Sequence, residues 1–258
     1  MASRPERAHD GVTDAARLWY GSFHGVLSTH SLAEPGYPFG SVVPCCLDPD
    51  GHPLLLLSHL AQHCRNLQAD PRCGFVVYQP PAGGNNQGGG DIQQGRRLSC
   101  IADCRIDDTQ ANLARYCRHF PAGRAYAERL GFRLYRLEPR RFHYNGGFAT
   151  ARWLGRERLT PGAAFGADVE GALLARLARE RGAWLAAQAK PAQAKPAQAK
   201  SDGSAEPVGV DRYGLTLRCG ERLIRLQSAG LLDGWDSLMA EIDAGSLRPT
   251  NLEPLQPD

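Results

Sequence analysis

The sequence predicts an α+β protein: an antiparallel β-barrel, closed or partly closed, followed by a small α+β unit. Three features carry that expectation. Six or seven short strand-like runs crowd the first 150 of the 258 residues, with few long helices among them. No apolar run approaches the ~20 residues of a membrane-spanning helix, and Leu54-Leu55-Leu56-Leu57 is strand-sized. A tract at 187–207 repeats Ala189-Lys190-Pro191-Ala192-Gln193 through Lys200, and proline every fifth residue forbids a continuous helix. That tract reads as an extended linker within the second of two units, which span 12–155 and 160–250.

Each element has a local reason. Residues 13–20 suit a helix capped by Thr13 or Asp14. Strands follow at 24–29 and 39–47. Asp48-Pro49-Asp50-Gly51 is a strong turn, because Pro presets φ and Gly accepts φ > 0; it leads into a hairpin partner at 53–58. A short helix at 59–69 ends at Asp70-Pro71, and 73–78 is a strand. The Gly-rich stretch 80–95 lacks a Lys and a following helix, so it reads as a surface loop, not a phosphate cradle. After a strand at 97–106, Asp108 or Thr109 caps a helix with Leu113, Tyr116, Cys117 and Phe120 on one face. Pro121 opens another helix to Leu130, stopped by Gly131, and strands at 132–137 and 141–144 close the barrel. The second unit offers a helix at 167–188, a hairpin of 208–217 with 221–226 around Arg218-Cys219-Gly220, and a helix at 231–244.

Charge excludes several functions. The chain has 27 acidic and 30 basic residues, and the only lysines are Lys190, Lys195 and Lys200, all in the repeat tract. The rest carries 27 Arg against 27 Asp+Glu, so its net charge is zero. A Schiff-base lysine and a P-loop are therefore absent, and a neutral body argues against a nucleic-acid footprint. Eight Cys at irregular spacings, without CxxC, read as reduced thiols of a cytoplasmic protein. The polar segment 1–7 lacks the apolar core of a secretory signal.

The chemistry-bearing stretch is Ser58-His59-Leu60-Ala61-Gln62-His63-Cys64-Arg65-Asn66. A strand-end hydroxyl, amide donors at a helix start and a nearby cation suit a phosphate or carboxylate; the alternative is that Ser58 only caps the helix. Cys45, Cys46, His52, His59, His63 and Cys64 lie close in sequence but match no zinc spacing, and the adjacent Cys45 and Cys46 point to opposite faces, so no metal site is expected. Arginines interleaved with aromatics at 132–144 read as strand alternation with solvated cations.

Gly25-Val26-Leu27-Ser28-Thr29, Gly36-Tyr37-Pro38-Phe39-Gly40-Ser41 and Ser58-x-Leu60-Ala61-x-His63-x-x-Asn66-Leu67-x-x-Asp70-Pro71 together resemble the pyridoxamine 5′-phosphate oxidase-like split barrels that bind FMN. Arg97-Leu98-Ser99-Cys100 and Gly146-Gly147-Phe148-x-x-Ala151-x-Trp153 narrow the likeness to the branch of HugZ-type haem-utilisation proteins, whose small C-terminal domain the second unit resembles. The resemblance implies an N-terminal FMN-binding-type split β-barrel, a homodimer, and a flavin-dependent oxidoreductase acting on a small molecule. It implies FMN contacts from Ser41, Ser58, His63, Arg65, Asn66 and Arg97, with His63 where a Lys commonly stands. The alternative it implies is haem binding or degradation. Relatives ligate haem through a His near the C-terminus, whereas the last His here is His143, leaving Cys219 or Tyr144 as substitutes. A third reading is a non-catalytic ligand-binding or regulatory barrel.

Overall fold

The computed structural model describes residues 11–80, 92–147, 151–189 and 205–250. Most of the Gly-rich loop, Phe148, the N-terminal polar segment and the lysine-bearing repeat lie outside the described residues. Helix α1 (Gly11–Gly21) is followed by strands β1 (His24–His30) and β2 (Pro38–Pro44), then β3 (Cys46–Leu47) and β4 (Pro53–Ser58). Next come α2 (Gln62–Ala69), β5 (Arg72–Gln79), β6 (Arg96–Ile106), α3 (Gln110–His119) and α4 (Gly123–Arg129). Strands β7 (Phe132–Asn145) and β8 (Arg152–Gly155) complete this part. Among the described residues these strands form one antiparallel sheet, ordered β2-β1-β5-β6-β7-β4-β3, with β8 paired to the second half of β7. The sheet curls until β2 approaches β4, giving a split barrel.

Strand alternation decides which side chains fill the barrel. β1 buries Gly25, Leu27 and Thr29 and turns Val26, Ser28 and His30 outward. At Gly25 a Cβ would fall 2.5 Å from the Phe75 ring, so glycine permits the close approach. Helix α1 plugs one end. Its buried Trp19 meets Phe142 and Phe75 edge-on, at 5.0 and 6.1 Å, and donates from Nε1 to the Gly51 carbonyl at 2.9 Å. Gly51 sits at φ 91°, as its turn requires.

The structure departs from the expected elements at several places. Helix α1 runs from Gly11, so Thr13 and Asp14 lie inside it and do not cap it. The strand at 39–47 breaks at Cys45, whose N–H donates to the Phe23 carbonyl, so β2 pairs with β1 while β3 pairs with β4. The two strands expected around Glu138-Pro139-Arg140 are one, β7. A register shift opposite Ile101 and Ala102 accommodates Pro139 and Arg140 as a bulge, the position where a residue without N–H fits. Thr109 stands at the N-cap of α3 as expected, but its side chain makes no cap hydrogen bond; the Asp107 carboxylate steadies the helix start instead, accepting from Thr109 N (2.9 Å) and Asn112 Nδ2 (2.7 Å). The helix at 167–188 divides beside Gly182 into α5 (Ala167–Glu180) and α6 (Gly182–Ala189).

The second unit adds β9 (Glu206–Asp211), β10 (Gly214–Cys219), β11 (Arg222–Gln227), α7 (Trp235–Asp243) and β12 (Arg248–Pro249). Its sheet runs β12-β11-β10-β9. The run expected as one strand at 208–217 is thus two, divided by a turn at Arg212-Tyr213 into Gly214 (φ 143°). Leu174, Leu177, Leu185, Val210, Leu215, Leu217, Leu238 and Ile242 form a core separate from that of the barrel.

Two buried ionic clusters lie at the junction of the units, and one of them is an ion pair between the units. Arg115 and Arg118 of α3 both pair with Glu170 of α5, and Glu170 also accepts from Val210 N at 3.0 Å. Arg115 Nε donates to the Leu47 carbonyl at 2.6 Å, which ties the same guanidinium to the barrel. Within the second unit Arg225 grips Asp211 with two bonds of 2.6 and 2.7 Å, and its guanidinium reaches across the junction to lie over the Tyr20 ring of α1.

Candidate cofactor-binding site

The residues singled out from sequence fall into two groups on opposite faces of the sheet. Ser41 lies on β2 opposite Leu27, on the inward side, where α2 packs against β1 and β2. His63 Nδ1 shares a hydrogen bond with Ser41 Oγ at 3.2 Å, while His63 Nε2 is buried without a partner among the described residues. Burial lowers the His63 pKa below the ordinary imidazole value, so the ring is neutral near pH 7. Ser58 Oγ accepts from Leu60 N at 3.3 Å and so stabilises the turn leading to α2, whose N-cap is Ala61. Arg65 is exposed and donates from Nη2 to the Leu60 carbonyl at 3.1 Å.

Asn66 is fully buried (0 % exposed), and its amide is engaged within the chain. Nδ2 donates to Thr29 Oγ1 at 2.9 Å, and Oδ1 accepts from Leu32 N at 3.1 Å and Gln62 Nε2 at 2.9 Å. It holds α2 to β1 and to the loop after it. Arg97 stands apart from this group: it pairs with Tyr78 and Asn145 on the outward face and donates to the Gln93 carbonyl at 3.5 Å.

The outward face carries a different constellation. One cross-strand row runs Val42, Val26, Val76, Ser99, His143, Trp153. Val42 is 74 % exposed and Trp153 50 %, and Ile101 and Tyr78 add further apolar surface beside the row. His143 packs on Trp153 (4.9 Å between ring centroids), and Arg141 lies over the same indole at 4.9 Å. Such a face, large and apolar with cations at hand, marks an interaction or ligand surface. The signal for it lay in the sequence as the alternation Arg141-Phe142-His143-Tyr144, which turns Arg141 and His143 away from the core that Phe142 and Tyr144 enter.

The other considered ligands lie elsewhere. Tyr144 is 2 % exposed inside the barrel, Cys219 is buried in the second core, and burial raises the pKa of both. Cys45 and Cys46 enter two different cores, as their adjacency requires. Among the described residues Asp48, Asp50 and His52 bring potential ligand atoms within 4.8 Å of one another. Those atoms already have partners: Asp48 accepts from the N–H groups of Asp50 and His52 and from His52 Nδ1, and Asp50 accepts from Ala163 N. No helix of the described residues is long and apolar enough to cross a membrane.

No protein-family model matches the chain. Over 144 residues it is 33 % identical to the non-canonical heme oxygenase HOZ, chloroplastic, of Arabidopsis thaliana; the match covers 54 % of this chain and 41 % of that relative. The chain therefore spans less than half the length of this curated relative. Solved structures that share the fold include the following two. Protein Atu2129 of Agrobacterium tumefaciens, of unknown function, is 22 % identical with a TM-score of 0.69, covering 95 % of this chain and 98 % of that one. A heme binding protein from Mycobacterium smegmatis is 23 % identical with a TM-score of 0.52, covering 94 % and 97 %. The chain thus shares its fold, a split β-barrel followed by a small α+β unit, with these two structures, and over the matched residues it is similar to the heme oxygenase relative.

Proposed function

We propose that the protein binds haem on the outward face of its barrel sheet, with a second copy of the chain covering that face. The observation that carries this reading is His143, whose imidazole makes no hydrogen bond among the described residues and sits on Trp153 in an apolar row flanked by Arg141. Haem is a flat apolar macrocycle with two carboxylates and an iron that takes an imidazole ligand. The donor set fits it: His143 would hold the iron, Arg141 and Arg97 the carboxylates, and Val26, Val42 and Ile101 the ring. Bound haem supplies an iron centre for oxygen chemistry; the protein's residues orient it and exclude water. The names of two relatives, a heme oxygenase and a heme binding protein, support the same reading.

A flavin reading rests on a separate observation, the unpartnered Nε2 of His63 beside Ser41. There Ser41, Ser58, His63 and Arg65 would meet the FMN phosphate of a flavin-dependent oxidoreductase with a small-molecule substrate, without help from lysine. Titrating the purified chain with hemin and, separately, with FMN tests the two. A Soret shift at one haem per chain, without flavin binding, supports the first reading. Saturable FMN binding without a Soret shift would replace it with the second, and neither signal would leave a non-catalytic barrel.

A further inference from the structure

A cleft of about 380 Å³ opens where the barrel meets the second unit, and none of the residues of either cofactor surface lines it. The first turns of α1 form one wall and the 3-10 turn at Arg156–Arg158 another. The second unit supplies the rest, from the turn at Tyr213 and the segment that leaves β11 toward α7. Its volume lies at the small end of the range for sites that take small molecules.

The lining has two chemistries. Val12, Ala16, Pro161, Leu231 and the Tyr213 ring give an apolar wall. Arg17 and Arg158 bring two guanidinium groups against the single carboxylate of Glu157. Arg17 reaches Asp14 at 3.7 Å, and Arg158 has no ion-pair partner among the described residues. Gln227 and Ser228 also line the cleft, each 8 % exposed, and Gln227 Oε1 and Ser228 Oγ have no hydrogen-bond partner. Buried polar groups left unpaired cost free energy, so two side by side at a cleft wall call for a ligand or ordered water.

The walls are held firmly. Ser228 N donates to the Tyr213 carbonyl at 2.9 Å, Leu232 N to the Arg212 carbonyl at 2.7 Å, and the Tyr213 hydroxyl to the Arg158 carbonyl at 3.4 Å. The last of these bonds crosses between the units, so the cleft exists only when they are docked.

We propose that this cleft binds a small organic anion with an apolar body, its charged group on Arg158 and Arg17 and its polar edge on Gln227 and Ser228. Because both units contribute, occupation stabilises their docking by mass action. The inference is independent of haem or flavin binding.

The test is an equilibrium titration of the full chain with 2-naphthoate, followed by ligand-observed NMR, with 2-naphthamide as the neutral counterpart. Saturable binding is expected, weaker for the amide and weakened about tenfold by Arg158→Ala, the loss of one charge-assisted hydrogen bond. Gly230→Trp is the second variant, since Gly230 lines the cleft and has open space around its Cβ position; it should abolish binding while leaving the circular dichroism spectrum unchanged. Equal affinity for the amide, or unchanged affinity in both variants, overturns the proposal.

Discussion

Arg115 of α3 and Glu170 of α5 form an ion pair across the two units with both side chains almost wholly withdrawn from water. Arg118 shares the same carboxylate, so one acid faces two cations. Removing one member of a buried pair leaves a charge uncompensated, whereas removing both need not. Glu170→Gln should therefore destabilise the chain by about 3–5 kcal/mol in urea unfolding. Arg115→Met combined with Glu170→Leu should cost less than Glu170→Gln alone, because the one cation left, Arg118, is 27 % exposed and can turn to water, whereas Arg115 cannot. Equal losses would show that packing, not charge, governs the junction.

His119 lies beside this cluster. Burial, and then the Arg115 charge, lower its pKa to about 3, and its Nδ1–H donates to the Arg115 carbonyl. A folded-state value below the unfolded 6.5 means that the neutral ring stabilises the fold fully above pH 6.5. That contribution declines as pH falls from 6.5 toward 3. Urea midpoints measured from pH 7 to 4 should fall less steeply for His119→Gln than for the parent. Identical slopes would contradict the assignment.

Asn66 separates structural from cofactor roles. Its amide spans Thr29, Leu32 and Gln62 from a fully buried position. Asn66→Ala should cost about 2–3 kcal/mol, because several buried groups lose partners. A variant of unchanged stability but lost FMN binding would return Asn66 to the phosphate site.

Much of this was legible in the sequence, for identifiable reasons. The Asp48–Gly51 turn and the alternation of β1, β5 and β6 are local signals, and they place these elements correctly. The joining of two expected strands into β7 was not legible, since Pro139 signals a break and only the opposing β6 shows that a bulge absorbs it. The residues around α2 share a segment, so sequence proximity found them. His143 and Trp153 meet only through strand pairing, and Arg97 is assigned to the other face only by its register with Tyr78.

The outward face should also determine assembly. Val42 is the most exposed member of its apolar row. Val42→Asp should shift the chain from dimer to monomer in analytical ultracentrifugation, since a charge in the covered face is desolvated without a partner. A monomeric parent chain would remove the second copy from the account.

The most direct test is a hemin titration of the parent chain against His143→Ala, read by the Soret band and by the resonance Raman signature of the axial ligand. Stoichiometric binding with an imidazole-ligated signature is expected in the parent and should be lost in the variant, whose circular dichroism spectrum stays the same. A Soret band and axial-ligand signature unchanged by His143→Ala would contradict haem ligation by His143.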